Sequence, residues 1–123
     1  MKSNLEQAKE FRSAFGVQNS PTLPTRAMQK NLIVEEFKEF LEAEGMLFRN
    51  NKPFHEDAIK ELSDLVYVCY QYAENMGWDL DEALRRVHES NMSKLEDGKA
   101  VYREDGKVLK GAHYKPPTLS DLV

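Results

Sequence analysis

Two pairs of carboxylates stand out for their spacing: Glu36 with Glu39, and Glu61 with Asp64. Residues three apart are neighbours on a helix surface, so each pair forms a two-carboxylate claw if its segment is helical. With about 100° of rotation per residue, Ile33, Val34, Phe37, Phe40, Leu41, Ala43, Leu47 and Phe48 make one broad apolar face. Glu35, Lys38 and Glu42 fall opposite, as solvated charges. Glu36 falls inside the apolar face, between Ala43 and Leu47, and Glu39 sits at its edge. The second segment repeats the arrangement. Ala58, Leu62, Leu65, Val66, Val68, Cys69, Tyr72, Ala73 and Met76 make its apolar face, Glu61 projects within it, and Asp64 lies at the edge. An unpaired carboxylate costs several kcal/mol to bury, and four together repel. Protonation, pairing with Arg or Lys, or a hard divalent cation would each relieve that cost. Carboxylate oxygens suit Mg²⁺ or Mn²⁺. The Glu-x-x-His pattern of di-iron bundles is absent.

These residues need elements to hold them. Leu5, Ala8, Phe11 and Phe15 recur at helical spacing and predict a short helix, with Gly16 as its stop. Gly16 to Thr25, with Pro21 and Pro24, reads as a loop. A long helix is predicted over Arg26–Phe48, ended by Asn50-Asn51-Lys52-Pro53. A second runs from about His55 to Met76, closed by Gly77. The short connection makes the two pack antiparallel, which points both claws into one seam. Asp79, with Glu82 three residues on, gives the capping-box pattern for a further helix reaching Lys94. Asp105-Gly106 between two short runs, Ala100–Arg103 and Lys107–Lys110, suggests a hairpin. The expected fold is all-α, a helical bundle over residues 1–95 with a short non-helical C-terminal flap over 96–123 in the same domain.

The balance of charge narrows the partners. Asp and Glu number 21 against 17 Lys and Arg, and the formal net charge is −4. That argues against the basic footprint expected of a protein that binds a nucleic-acid polymer. No apolar run approaches the ~18 residues of a membrane span, the first residues show no signal-peptide pattern, and the single cysteine, Cys69, excludes an internal disulfide. A cytoplasmic protein is expected.

The local strings Val34-Glu35-Glu36-Phe37-Lys38-Glu39-Phe40 and Glu61-Leu62-Ser63-Asp64-Leu65-Val66-Tyr67 resemble the motif helices of the MazG-like, all-α NTP pyrophosphatase superfamily. That superfamily includes dimeric dUTPases and phosphoribosyl-ATP pyrophosphohydrolases. Val87 to Lys94 resembles its third motif. Gly106 to Gly111, followed by Tyr114 and Pro116, resembles the tail of MazG-like proteins. The resemblance implies a four-helix-bundle architecture, a homodimer or homotetramer, and Mg²⁺ (or Mn²⁺) held by Glu36, Glu39, Glu61 and Asp64. It implies hydrolysis of a nucleoside triphosphate to the monophosphate and pyrophosphate. A phosphoribosyl-ATP pyrophosphohydrolase is the nearest enzymatic alternative, although the flap extends past where those enzymes usually end. A helical dimerisation or regulatory module without activity is the non-enzymatic one, and retention of all four carboxylates speaks against it.

Attack on the α-phosphorus needs the triphosphate's charge neutralised and a water held in line. Glu35, beside the cluster, is the candidate to accept the water's proton; as a solvated helix charge it would have no role. Leu84, Val87, Asn91 and Lys94 follow a helical stripe, so Asn91 and Lys94 face inward unless the helix frays before them. The resemblance sets both against the nucleotide. Lys107, Lys110, His113 and Lys115 make the tail locally basic, which suits phosphate as well as solvent. Lys107, Lys110 and Tyr114 complete the expected substrate contacts. Cys69 reads as a core residue, and His55 and His88 as surface positions. Trp78 reads as a staple at the start of the third long helix, with base stacking as its other reading.

Overall fold

The prolines open helices here. In the computed structural model, which describes every residue from Met1 to Val123, α2 spans Leu23–Glu44 with Pro24 in its first turn. Thr22 caps it: the Thr25 amide donates to the Thr22 hydroxyl at 3.3 Å. α3 spans Lys52–Met76 with Pro53 in its first turn. Both helices therefore begin about three residues before their predicted starts. A proline at the first turn forfeits an N–H that has no intrahelical partner anyway, and its fixed φ suits the helix. α2 is also shorter at its other end than predicted: Leu47–Arg49 forms a separate 3₁₀ turn, and Asn50 adopts a left-handed conformation (φ 46°). The predicted loop and the predicted Asn50–Pro53 stop are corrected accordingly.

α1 spans Asn4–Ala14, capped by Ser3, whose hydroxyl accepts from the Glu6 amide at 3.1 Å. α3 ends at Gly77 (φ 74°), and the Trp78 amide reaches back to the Ala73 carbonyl at 2.9 Å. This left-handed cap favours glycine because a Cβ there is strained. α4 spans Leu80–Met92. The expected cap is present: the Glu82 amide donates to Asp79 Oδ1 at 3.0 Å. The hairpin is present too, with β1 (Val101–Tyr102) antiparallel to β2 (Val108–Leu109) and Val101 opposite Leu109. The chain is all-α apart from this ribbon and an irregular tail. No helix is long and apolar enough to cross a membrane.

Two compact units divide the chain, Met1–Trp78 and Asp79–Val123. In the first, α3 is the central element, and both α1 and α2 pack on it. Its apolar core is thin. Ala8, Ala58, Tyr70 and Ala73 are buried, and so are the polar Arg12, Gln29, Gln71, Glu74 and Asn75. Arg12 is the hub of that polar core. Its Nε donates to Asn19 Oδ1 at 2.6 Å, Nη1 to Gln71 Oε1 at 3.3 Å, and Nη2 to Asn75 Oδ1 at 3.0 Å and the Gln18 carbonyl at 3.2 Å. Asn19 Nδ2 in turn donates to Glu74 Oε1 at 3.0 Å. These bonds tie α1 and the loop after it to the last turns of α3. Burial pushes the Arg12 guanidinium below its ordinary pKa, and Glu74 partly offsets this.

In the second unit the tail is clamped to α4. Arg86 donates to both carboxylate oxygens of Asp121, at 2.6 and 3.0 Å, and to Glu82 at 2.9 Å. Ser90 Oγ donates to the Lys115 carbonyl at 2.7 Å. The Gly111 amide donates to the Lys94 carbonyl at 2.9 Å. A Cβ at Gly111 would stand 2.6 Å from that same oxygen, so only glycine allows the strand end this close.

Candidate metal centre

Antiparallel packing of α2 on α3 brings Glu36 and Glu39 opposite Glu61. Carboxylate oxygens of the three lie within 4.8 Å of one another. Glu36 and Glu61 each bury one oxygen, Oε2, that has no hydrogen-bond partner. The sequence placed both residues inside apolar faces, and the structure half-buries both while leaving Glu39 exposed. Hydrogen bonding and repulsion from the Glu36 carboxylate, with Glu61 adding to both, raise the Glu39 carboxyl above its ordinary pKa. Glu39 therefore gives up its proton less readily than an isolated glutamate. Three hard oxygen donors at this spacing, two with a lone-pair-bearing oxygen left unpartnered, fit a divalent cation of the Mg²⁺ or Mn²⁺ kind.

Asp64, expected as the fourth donor, stands outside that group of three. Its Oδ2 is 2.8 Å from Lys60 Nζ, one turn away on α3. Lys60 also approaches Glu61 Oε1 at 3.4 Å. Asp64 first, and Glu61 after it, hold the Lys60 ammonium above its ordinary pKa. Glu35 is exposed on α2, next to Glu36 in the chain.

A cleft of roughly 610 Å³ opens beside the cluster, lined by Glu39, Glu42, Ala43, Met46, Phe54, Asp57 and Glu61. Glu42, read from the sequence as a solvated charge on the far side of α2, is exposed but lines this cleft, three residues along the helix from Glu39. Asp57 and Lys60 were passed over in the sequence. Asp57 lies four residues before Glu61, one helical turn away, and that spacing is the signal that finds it. Lys60 gives no such signal beyond its i,i+4 relation to Asp64.

The remaining expected contacts belong to the second unit. Asn91 is exposed in the last turn of α4, which ends at Met92. Lys94 is therefore not part of a helical stripe with Asn91, as its spacing suggested. Ser93 ends the helix: its hydroxyl donates to the Ser90 carbonyl at 2.6 Å, and the carbonyl of Lys94 instead anchors Gly111. Lys107 and Lys110 are exposed on the hairpin. Lys110 Nζ lies 4.7 Å from the centre of the half-buried Tyr114 ring, so these two are brought together as a cation–π pair. His55 and His88 are exposed, as expected. Cys69 is half-buried, and burial pushes its thiol pKa up, away from reactivity. The Trp78 ring packs 5.9 Å from that of Tyr72.

Residues 8–91 match the pattern of the phosphoribosyl-ATP pyrophosphohydrolase family. The chain belongs to that family. It is thereby a member of the MazG-like all-α NTP pyrophosphohydrolase superfamily, and its family is one of pyrophosphohydrolases. The matched residues contain α2, α3 and all four motif carboxylates, and end before the hairpin. The chain is also similar to an uncharacterized protein of Acanthamoeba polyphaga mimivirus. The two are 31% identical over 100 residues, an alignment that covers 54% of this chain and 40% of the viral protein. The chain thus spans well under half the length of that relative.

Proposed function

We propose that the protein is a metal-dependent nucleoside triphosphate pyrophosphohydrolase that converts a (d)NTP and water to the (d)NMP and pyrophosphate. The pair of buried, unpartnered oxygens on Glu36 and Glu61, beside Glu39, carries this reading. In it, Glu36, Glu39 and Glu61 hold Mg²⁺ or Mn²⁺ from two helices, with Asp64 as a fourth donor. A divalent ion bound there neutralises phosphate charge and polarises the α-phosphorus. Glu35, exposed next to Glu36 in the chain, accepts the proton of the attacking water. Asn91, Lys94, Lys107, Lys110 and Tyr114 serve the nucleotide and its phosphates. The reaction belongs to the cytoplasm, where nucleoside triphosphates are held.

A second substrate is favoured by the family match itself: phosphoribosyl-ATP, cleaved at the same α–β linkage. A panel of the eight common NTPs and dNTPs together with phosphoribosyl-ATP, assayed with Mg²⁺ and resolved by chromatography, tests both. Monophosphate and pyrophosphate are the expected products. Release of orthophosphate with a diphosphate overturns the mechanism.

The same reading includes a homodimer or homotetramer. Val34, Phe37 and Leu41 on α2, and Ile59, Leu62 and Val66 on α3, are all 44% exposed or more. Each trio follows i, i+3, i+7 spacing, so each forms a stripe. Each stripe is rotated about 130–170° from the carboxylates of its own helix, so both stripes face away from the carboxylate seam. Exposed apolar stripes of this kind are rarely left to solvent, and a symmetric copy covers them. Sedimentation at micromolar concentration should give a dimer or tetramer; a monomer refutes the assembly.

A further inference from the structure

One cation already contacts the carboxylate cluster, and it belongs to the chain. Lys60 Nζ is 2.8 Å from Asp64 Oδ2 and 3.4 Å from Glu61 Oε1. The lysine side chain is 66% exposed, while that of Glu61 is only 20% exposed. An ordinary ion pair on a helix surface joins two solvated groups and contributes little. Here a surface ammonium leans onto the edge of a partly buried acidic site. Lys60 and Asp64 are one turn apart on the same helix, so their contact forms without help from α2. Asp64 is thereby engaged by Lys60, while Glu36, Glu39 and Glu61 face one another.

We propose that Lys60 is a resident counter-cation of Glu61 and Asp64, displaced when a divalent ion binds, so that Asp64 joins the metal ligands and the ammonium turns to the substrate's phosphates. This inference rests on the metal-dependent reading above. Two cations on one carboxylate repel each other, so an ion held by Glu61 competes with Lys60 for it. The lysine stem is flexible and its head is solvated, so reorienting it costs little. A triphosphate bound at the same ion supplies the negative charge that the ammonium has lost.

The test is a pair of charge-matched variants of the full chain. Lys60→Met keeps the stem and removes the charge. Lys52→Met does the same on the same helix, where Lys52 faces only the exposed Glu56 at 3.8 Å. Mn²⁺ binding, followed by paramagnetic resonance of the free ion, needs no turnover. Lys60→Met should tighten Mn²⁺ binding by about three- to tenfold. At saturating Mn²⁺ it should weaken calorimetric binding of inorganic tripolyphosphate by about tenfold. Lys52→Met should leave both within about twofold. Effects of opposite sign on the two ligands are the signature, since a lysine that merely supported α3 would weaken both or change neither. The inference is overturned if Lys60→Met matches Lys52→Met for Mn²⁺, or if tripolyphosphate binding is unchanged. Glu61→Gln separates this failure from that of the metal site. If wild-type binds Mn²⁺ and Glu61→Gln does not, a failed Lys60→Met result bears on the lysine alone. If wild-type binds no Mn²⁺, the metal site and this inference fall together.

Discussion

Glu61→Gln should reduce turnover on the order of a thousandfold and remove the response of the protein's melting temperature to Mg²⁺. Glu61 is one of three clustered carboxylates, and its Oε2 is buried without a partner. Gln keeps the shape and loses the charge that holds a cation. In the wild type, Mg²⁺ at ten times its Kd should add about 1.4 kcal/mol to the folded state by mass action, a rise of several degrees. The variant should stay folded, because it removes one of several mutually repelling charges. Glu6→Gln, on an exposed stretch of α1, should leave turnover and the Mg²⁺ response intact. Wild-type turnover and an unchanged Mg²⁺ shift in Glu61→Gln would make the cluster a set of structural charges.

The pH dependence of that response follows from Glu39. Its carboxyl is raised by the hydrogen bond and charge of Glu36 and by Glu61. A raised acid binds its proton more tightly when folded than when unfolded, so its contribution to stability is fully present below the unfolded value of about 4.3. That contribution is lost as the pH rises through the folded value. The metal-free protein therefore loses stability at this site on going up through that window. The Mg²⁺-induced rise should grow over the same window, as protons cease to compete. Glu82 acts in the opposite direction. Arg85 and Arg86 lower its carboxyl to about 2, so its contribution is present above the ordinary carboxylate pKa and fades toward pH 2. Comparing wild type with Glu39→Gln across the pH range by thermal denaturation isolates the first effect from the second.

The largest stability loss is expected far from the carboxylates. Arg12→Met should cost about 3–5 kcal/mol, on the order of 15 °C in melting temperature. Arg12 is 3% exposed and donates to Asn19, Gln71, Asn75 and the Gln18 carbonyl. Removing it strands several buried acceptors and leaves Glu74 without its nearby positive charge. Arg12→Lys should recover only part of the loss, because an ammonium cannot reproduce the planar fork that reaches α3 and the loop together. Urea unfolding gives the comparison. Asn19→Ala, which deletes the Glu74 link and one of the Arg12 bonds while leaving the guanidinium and its other partners in place, provides a milder variant if Arg12→Met does not fold. A loss below about 1 kcal/mol for Arg12→Met would show that water replaces the network without penalty.

Local rules made much of this legible from the chain alone. Helical phase is a property of the segment itself, so the spacing of Glu36 with Glu39 and of Glu61 with Asp64 sufficed to set each pair on one side of its helix. Caps are equally local, and Asp79 and the Asp105-Gly106 turn were read correctly for that reason. Pro24 and Pro53 were misread because a proline's local signal is the same whether it stops one helix or starts the next. What stands across the seam is not local. Only packing decided that Glu36, Glu39 and Glu61 share a cluster and that Asp64 stands outside it. It also decided that Glu42 and Asp57 border the same cleft, since a helical wheel gives direction but not the width of the space it faces. Arg12 showed nothing in the sequence beyond an ordinary charge at the end of a short helix. Its burial depends on Gln71 and Asn75, some sixty residues away, and a polar core assembled from distant positions carries no periodicity to reveal it.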